Sequence, residues 1–186
     1  FINNQKLMIQ WNEIAADASI AESIPHGALT IGVGSSKLSL VLEELRFAYD
    51  SAPKLSKNKI SEIISVLSEG AADVVLGVGT LRNAVKKILP VQQAMNSAIN
   101  DYSASQEFLE TVAKLESNGL ALASQSSEIN DWIENNVSIS RPLDLDDNYE
   151  VIEAQMYIQL NIFGELIVEF NQRLVNFQQA WRKGLM

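Results

Sequence analysis

Apolar residues in this chain recur at helical spacing almost from end to end. In the last stretch, Tyr149 to Trp181, they fall at Met156, Leu160, Phe163, Ile167, Phe170, Leu174, Phe177 and Trp181. From Leu160 onward the steps alternate between three and four, the seam of a helix packed lengthwise on other helices. Three phenylalanines and a tryptophan on one seam demand a large apolar cover. Ile158, Ile162 and Leu166 add a second apolar strip, which predicts burial of the first half on more than one side. Glu169 and Arg173 stand at a favourable spacing for an ion pair along the helix.

The same rhythm organises the rest. Leu7, Trp11, Ile14 and Ala18 share a face, and after Pro25 and a small-residue stretch the seam resumes at Leu38, Leu42, Leu45 and Tyr49. A proline removes a backbone donor, so this first arm reads as long and kinked or broken. The second arm keeps the longest heptads: Ile60, Ile64, Leu67, Ala71, Val74, Val78, Leu81, Val85 and Ile88. Met95, Ile99 and Tyr102 carry its phase past Pro90. Ser103-Ala-Ser-Gln106 has capping-box spacing before a third seam of Phe108, Val112, Leu115, Gly119, Leu122, Ser126, Ile129 and Ile133. Alternating strand patterns are absent. Turns are expected at Ser51–Ser56 and over Asn136–Asn148.

The expectation is one all-α domain over 1–186, with arms at about 1–50, 57–100, 103–136 and 148–184. At ~1.5 Å per residue the arms make rods of about 50–75 Å, and short connections force an elongated antiparallel up-down four-helix bundle with long, kinked helices.

Composition narrows the chemistry. With 14 basic and 23 acidic residues, net charge −9, and basic residues clustered no further than pairs, the composition disfavours a nucleic-acid or anionic-membrane surface as the main partner. The absence of cysteine removes disulfides and thiol chemistry. The uncharged runs Ile24–Ser36, Ile88–Asn100 and Ala154–Gly164 are each too short to span a bilayer. An initial Phe points to an excerpt of a longer or processed chain.

Candidate motifs mostly dissolve on inspection. Gly32-Val-Gly-Ser-Ser-Lys37 lacks the ending of a phosphate-binding loop and no strand precedes it. Asp144, Asp146, Asn148 and Glu150 begin like a calcium loop, but Tyr149 replaces the turn glycine. His26 is the single histidine, so neither a transition-metal site nor the carboxylate–histidine set of a di-iron bundle can be assembled. No metal, cofactor or catalytic residue is expected. Glu107 with Glu110 and Glu165 with Glu169 read as solvated faces. Arg46 and Arg82, on seam flanks, are the best basic candidates for an anionic ligand.

Counting along the arms from the turns places Gly32, Gly34, Gly77, Gly79, Gly119 and Gly164 at about one height. Such a layer serves either close packing or a cavity between helices, where bundles place ligands. Thr30, Thr80, Arg82, Asn118 and Asn161 lie near it and form the candidate ligand-binding set.

Leu81-Arg-Asn-Ala-Val-Lys-Lys-Ile-Leu89 through Ser126-Ser-Glu-Ile129, in an acidic, cysteine-free bundle, resembles the extracytoplasmic sensory domains of methyl-accepting chemotaxis receptors and membrane histidine kinases. The arginine-rich signature of nitrate sensors is missing. The resemblance implies a periplasmic domain of a membrane-inserted receptor and, by the same analogy, a homodimer. It would bind a small molecule or a periplasmic binding protein and signal by helix shifts. Trp11 and Trp181, with neighbouring basic residues, would suit a membrane interface at the end where the chain termini emerge. The alternatives are a helical scaffold or interaction protein, with Ile158, Ile162 and Leu166 as its exposed stripe, and a secreted α-helical toxin component. A toxin needs an insertable apolar hairpin, and Ala71–Leu81 is the candidate that Asp73 and Arg82 limit.

Overall fold

The computed structural model describes residues 5–6, 9–10, 12–14, 17–51, 57–94, 103–136 and 147–184. Every described residue except Asp17 is helical. Four long helices follow one another: α1 (Ala18–Ser51), α2 (Lys57–Ala94), α3 (Ser103–Asn136) and α4 (Asp147–Gly184). The expected turns after Ser51 and Asn136, the seam residues Leu7, Trp11, Ile99 and Tyr102, and the acidic residues Asp144 and Asp146 lie outside the described residues, as do the surroundings of the Trp181 side chain.

The first arm breaks at Asp17, not at Pro25. The Asp17 carboxylate accepts hydrogen bonds from the Ser19 amide at 2.9 Å and the Ser19 hydroxyl at 2.7 Å, capping the first turn of α1. Those bonds favour the ionised form and hold the Asp17 pKa below its ordinary 3.8. Pro25 and Pro90 are both accommodated inside their helices. Pro25 sits in the second turn after the cap and on an exposed face.

The predicted seams form the core. Every seam residue of α2 from Ile60 to Ile88 is buried, as is every one of α3 from Phe108 to Ile133. On α4, Met156, Leu160, Phe163, Phe170 and Phe177 are buried, with Ile167 and Leu174 packed against them. Phe108 of α3 stacks on Phe177 with ring centres 4.9 Å apart and tilts against Phe170 at 5.6 Å. The second strip of α4 behaves differently from expectation: Ile158 and Ile162 are exposed and only Leu166 is half-buried. The Glu169–Arg173 pair along the helix is likewise replaced by bonds across to α3. The Arg173 guanidinium meets Glu107, and Glu169 meets Thr111 and Lys114.

Each helix packs on the next in chain order, while α1 and α4 touch sparingly. Across the α1/α2 contact the two backbones approach very closely. A side-chain carbon added at Gly77 would lie 2.7 Å from the Gly27 carbonyl oxygen, and one at Gly34 would lie 2.7 Å from that of Gly70. Real carbons do not approach so closely, so only glycine fits these two crossings. Partner numbers fall along α2 as they rise along α1: Gly27 with Gly77, Gly34 with Gly70, Glu44 with Lys59.

The six glycines expected in one layer are therefore distributed otherwise. Gly34 and Gly77 belong to different crossings seven positions apart, each with a partner (Gly70, Gly27) outside the expected set. Gly119 rests on Val75 and Val74, whereas Gly32, Gly79 and Gly164 face open space. Within α2, Lys59–Val91 is long and apolar enough to cross a membrane by length and composition, and less than half of its most apolar window is buried. Counting uncharged runs alone missed this stretch, because Glu69 and Asp73 interrupt it.

Candidate functional site

Beside its apolar cluster, the α3/α4 contact carries polar residues one heptad apart. Thr111, Asn118 and Gln125 recur every seven positions on α3, and the first two meet α4. The Thr111 hydroxyl lies 3.2 Å from a Glu169 carboxylate oxygen. Asn118, 4% exposed, donates from Nδ2 to the Gln159 backbone and side-chain oxygens, both at 3.0 Å. Its Oδ1 and the Gln125 Oε1 are buried without a protein partner. A buried acceptor left unpaired costs about 1–3 kcal/mol, so this seam is held less firmly than an apolar one would be.

The five residues expected to gather around a ligand do not converge. The Thr30 hydroxyl donates back to the His26 carbonyl at 3.0 Å, and the Thr80 hydroxyl to that of Leu76 at 3.2 Å. Both hydroxyls are spent within their own helices. Asn161 turns toward α1, where its Oδ1 accepts from Arg46 Nη2 at 3.3 Å and its Nδ2 donates to the Tyr157 carbonyl at 2.9 Å. Arg46 also approaches the Tyr157 hydroxyl at 3.4 Å, so this cluster is where α1 and α4 meet. Asn118 faces Gln159 on the other side of α4.

Arg82, of the five, lines a groove. Its guanidinium is ion-paired with Glu116 across α2 and α3. Lys86, Leu109, Ala113, Ser117 and Leu120 complete a groove of about 280 Å³. Two cations, one carboxylate and two leucines in that space suit a small organic acid or zwitterion. Nearer the other end of the same seam, Ser61, Ser65, Ser68, Ser126, Ser127 and Asn130 line a groove of about 360 Å³. The Ser126 hydroxyl there donates to the Ile64 carbonyl at 3.3 Å. Sequence reading overlooked the partners of Arg82 in its groove and the whole of the serine groove. Glu116 and Lys86 carry no motif, and a serine every three or four positions reads as an ordinary solvated face.

Among the described residues no group of three or more His, Cys, Asp or Glu side chains gathers to hold a metal. No family model, curated protein or solved structure matches this chain.

Proposed function

We propose that this chain is the extracytoplasmic ligand-sensing domain of a transmembrane receptor, without catalytic activity of its own. Its four helices form an antiparallel up-down bundle, a reading supported by the opposed numbering of contacts on successive helices. A small organic acid or zwitterion enters the groove of Arg82, Lys86 and Glu116, taking over part of the Arg82–Glu116 pair. A periplasmic binding protein laid along the same seam is the other form of input, and a homodimer is the expected working state.

One observation carries this reading: the groove lies between two helix pairs that are joined in different ways. The α1/α2 pair is fixed by two glycine crossings. The α3/α4 pair combines the Phe108, Phe170 and Phe177 cluster with polar contacts that include buried unpaired acceptors, and α1 scarcely meets α4. A ligand wedged between α2 and α3 therefore moves the second pair against the first, and a shift of one packed helix past another is a known means of signalling.

Thermal unfolding against a panel of organic acids and amino acids tests the site. A ligand at a hundred times its Kd adds about 2.7 kcal/mol, which moves Tm by roughly 5–10 °C in a domain of this size. The shift should vanish in Arg82→Ala/Lys86→Ala while the unliganded Tm barely changes, because half-exposed ion pairs contribute about 0–1 kcal/mol. A shift that survives the double substitution, or none across the panel, overturns the proposed groove.

A further inference from the structure

We propose that the α1/α2 hairpin inserts into a lipid bilayer as a unit. The proposal stands apart from the ligand groove and rests on four features of the hairpin.

The first is a charge-poor slab of bilayer thickness. By the register of the glycine crossings, Glu22 stands level with Arg82 and Glu43 with Glu62. Between these two levels α1 rises about 30 Å, the thickness of a bilayer's hydrocarbon core. Within the slab the ionisable side chains are Lys37, Glu69, Asp73 and, one turn inside the edge, His26.

The second feature is partial internal compensation of those charges, one cation facing two acids. Lys37 Nζ lies 2.8 Å from Asp73 and 3.7 Å from Glu69, so one cation serves both acids. Asp73 is thus paired inside the hairpin, and Arg82 stands at the slab's edge, where a charge reaches the lipid headgroups.

The third is that some of the slab's hydroxyls are satisfied without water. Thr30, Ser36 and Thr80 each donate to a carbonyl one turn back in their own helix. That is the arrangement hydrocarbon requires of a polar side chain.

The fourth is apolar surface with nothing over it. Leu29 and Leu76, level with each other on the two helices, are 67% and 66% exposed, and Val33 and Leu40 extend the strip along α1. Leu29, Val33 and Leu40 lie opposite the buried face of α1, which leaves that helix apolar on both sides. A helix apolar all round is found in large cores or in membranes. The glycine crossings hold the two helices together without help from α3, as small residues do between helices in lipid. With a net charge of −9, the favoured surface is a zwitterionic one.

The cysteine-free chain permits a direct test. Leu76→Cys in the slab and Ser127→Cys on α3, each carrying an environment-sensitive fluorophore, are mixed with phosphatidylcholine vesicles, with and without lipids quenched at the bilayer centre. Insertion predicts a blue shift and quenching at position 76 and neither at 127. Leu29→Asp/Leu76→Asp alters exposed positions only, so helical circular dichroism should be unchanged. It should lower vesicle partitioning by roughly ten-thousandfold, given the cost of an acid at the centre of each of two membrane helices. Lys37→Met should weaken insertion and Lys37→Arg should keep it. A slab probe that does not respond to vesicles, a response shared equally by the α3 probe, or full binding by the double Asp variant would each overturn the proposal.

Discussion

Replacing Gly77 by alanine sets two effects of known size against each other. In an exposed helix interior the change gains about 1 kcal/mol, because alanine loses less backbone freedom than glycine on folding. At position 77 the new carbon would lie 2.6 Å from Ile31 Cγ1, 2.7 Å from the Gly27 carbonyl oxygen and 3.0 Å from the Ile31 amide nitrogen. Two of those three neighbours are backbone atoms of α1, so relief requires moving a helix and not turning a side chain. Forcing an extra carbon into a packed contact typically costs about 1–3 kcal/mol, and a backbone-on-backbone clash belongs at the upper end. The net expectation is a loss of about 1–2 kcal/mol, or roughly 2–8 °C in Tm by circular dichroism. Gly164→Ala supplies the internal control, since nothing lies within 4 Å of its added carbon and the site is exposed. That substitution should raise stability by up to about 1 kcal/mol. If both variants gain stability to the same degree, α1 and α2 are not as close at Gly77 as described. The register on which the bilayer slab is measured would fall with it.

Two further outcomes follow from the polar groups. Asn118→Leu exchanges a buried side chain with an unpaired Oδ1 for an apolar one of similar size, and its partner Gln159 is only half-buried. Denaturant unfolding should show stability unchanged or raised by about 1 kcal/mol, and a loss above about 2 kcal/mol would mean that Oδ1 is satisfied in solution. The folded-state pKa of Asp17 is lowered, so its contribution is fully present above 3.8 and disappears as pH falls through the lower folded value. Hydrogen exchange at Ser19 to Ala21 should rise across that acid window and should already be fast at neutral pH in Asp17→Ala.

Helix periodicity made the core legible because each helix buries one strip and the strip's residues are chemically unlike the rest. The seams of α2 and α3 could be written down residue by residue for this reason. What periodicity could not give was the rotation of each helix about its axis. Ile158 and Ile162 continue an apolar pattern, yet they turn to solvent because they lie on the side of α4 opposite its buried strip of Met156, Leu160 and Phe163. The glycines failed for a related reason. Counting residues from the turns fixes height to within several positions, while deciding whether Gly27 or Gly32 meets α2 requires knowing which side of α1 faces it. Gly27 and Gly34 share the buried face, and Gly32 lies on another. Asn118 was legible as a polar residue near a seam, but its partner Gln159 carries no signal until α4 is placed beside α3. Arg82 was legible as a flanking cation, and Glu116, the residue that neutralises it, was not.

The groove and the hairpin make opposite demands on one seam. Inserted in a bilayer, α2 exchanges its contact with α3 for lipid, so insertion requires the Arg82–Glu116 pair and the packing of Val74 and Val75 on Gly119 to part. A ligand seated among Arg82, Lys86 and Glu116 touches both helices and is lost when they separate. Binding must then oppose insertion, and by linkage vesicles must weaken ligand binding by the same factor. A ligand at a hundred times its Kd that binds only the closed bundle would reduce the inserted fraction by up to about a hundredfold. Titrating such a ligand against the vesicle-bound Leu76→Cys variant, with its fluorophore attached, measures that factor directly. Reciprocal antagonism would make the groove a latch on the hairpin, with ligand release as the signal that frees it. Simultaneous, independent binding of ligand and vesicle would show that the hairpin meets lipid through the exposed strip of Leu29 and Leu76 alone, with α3 still seated on α2.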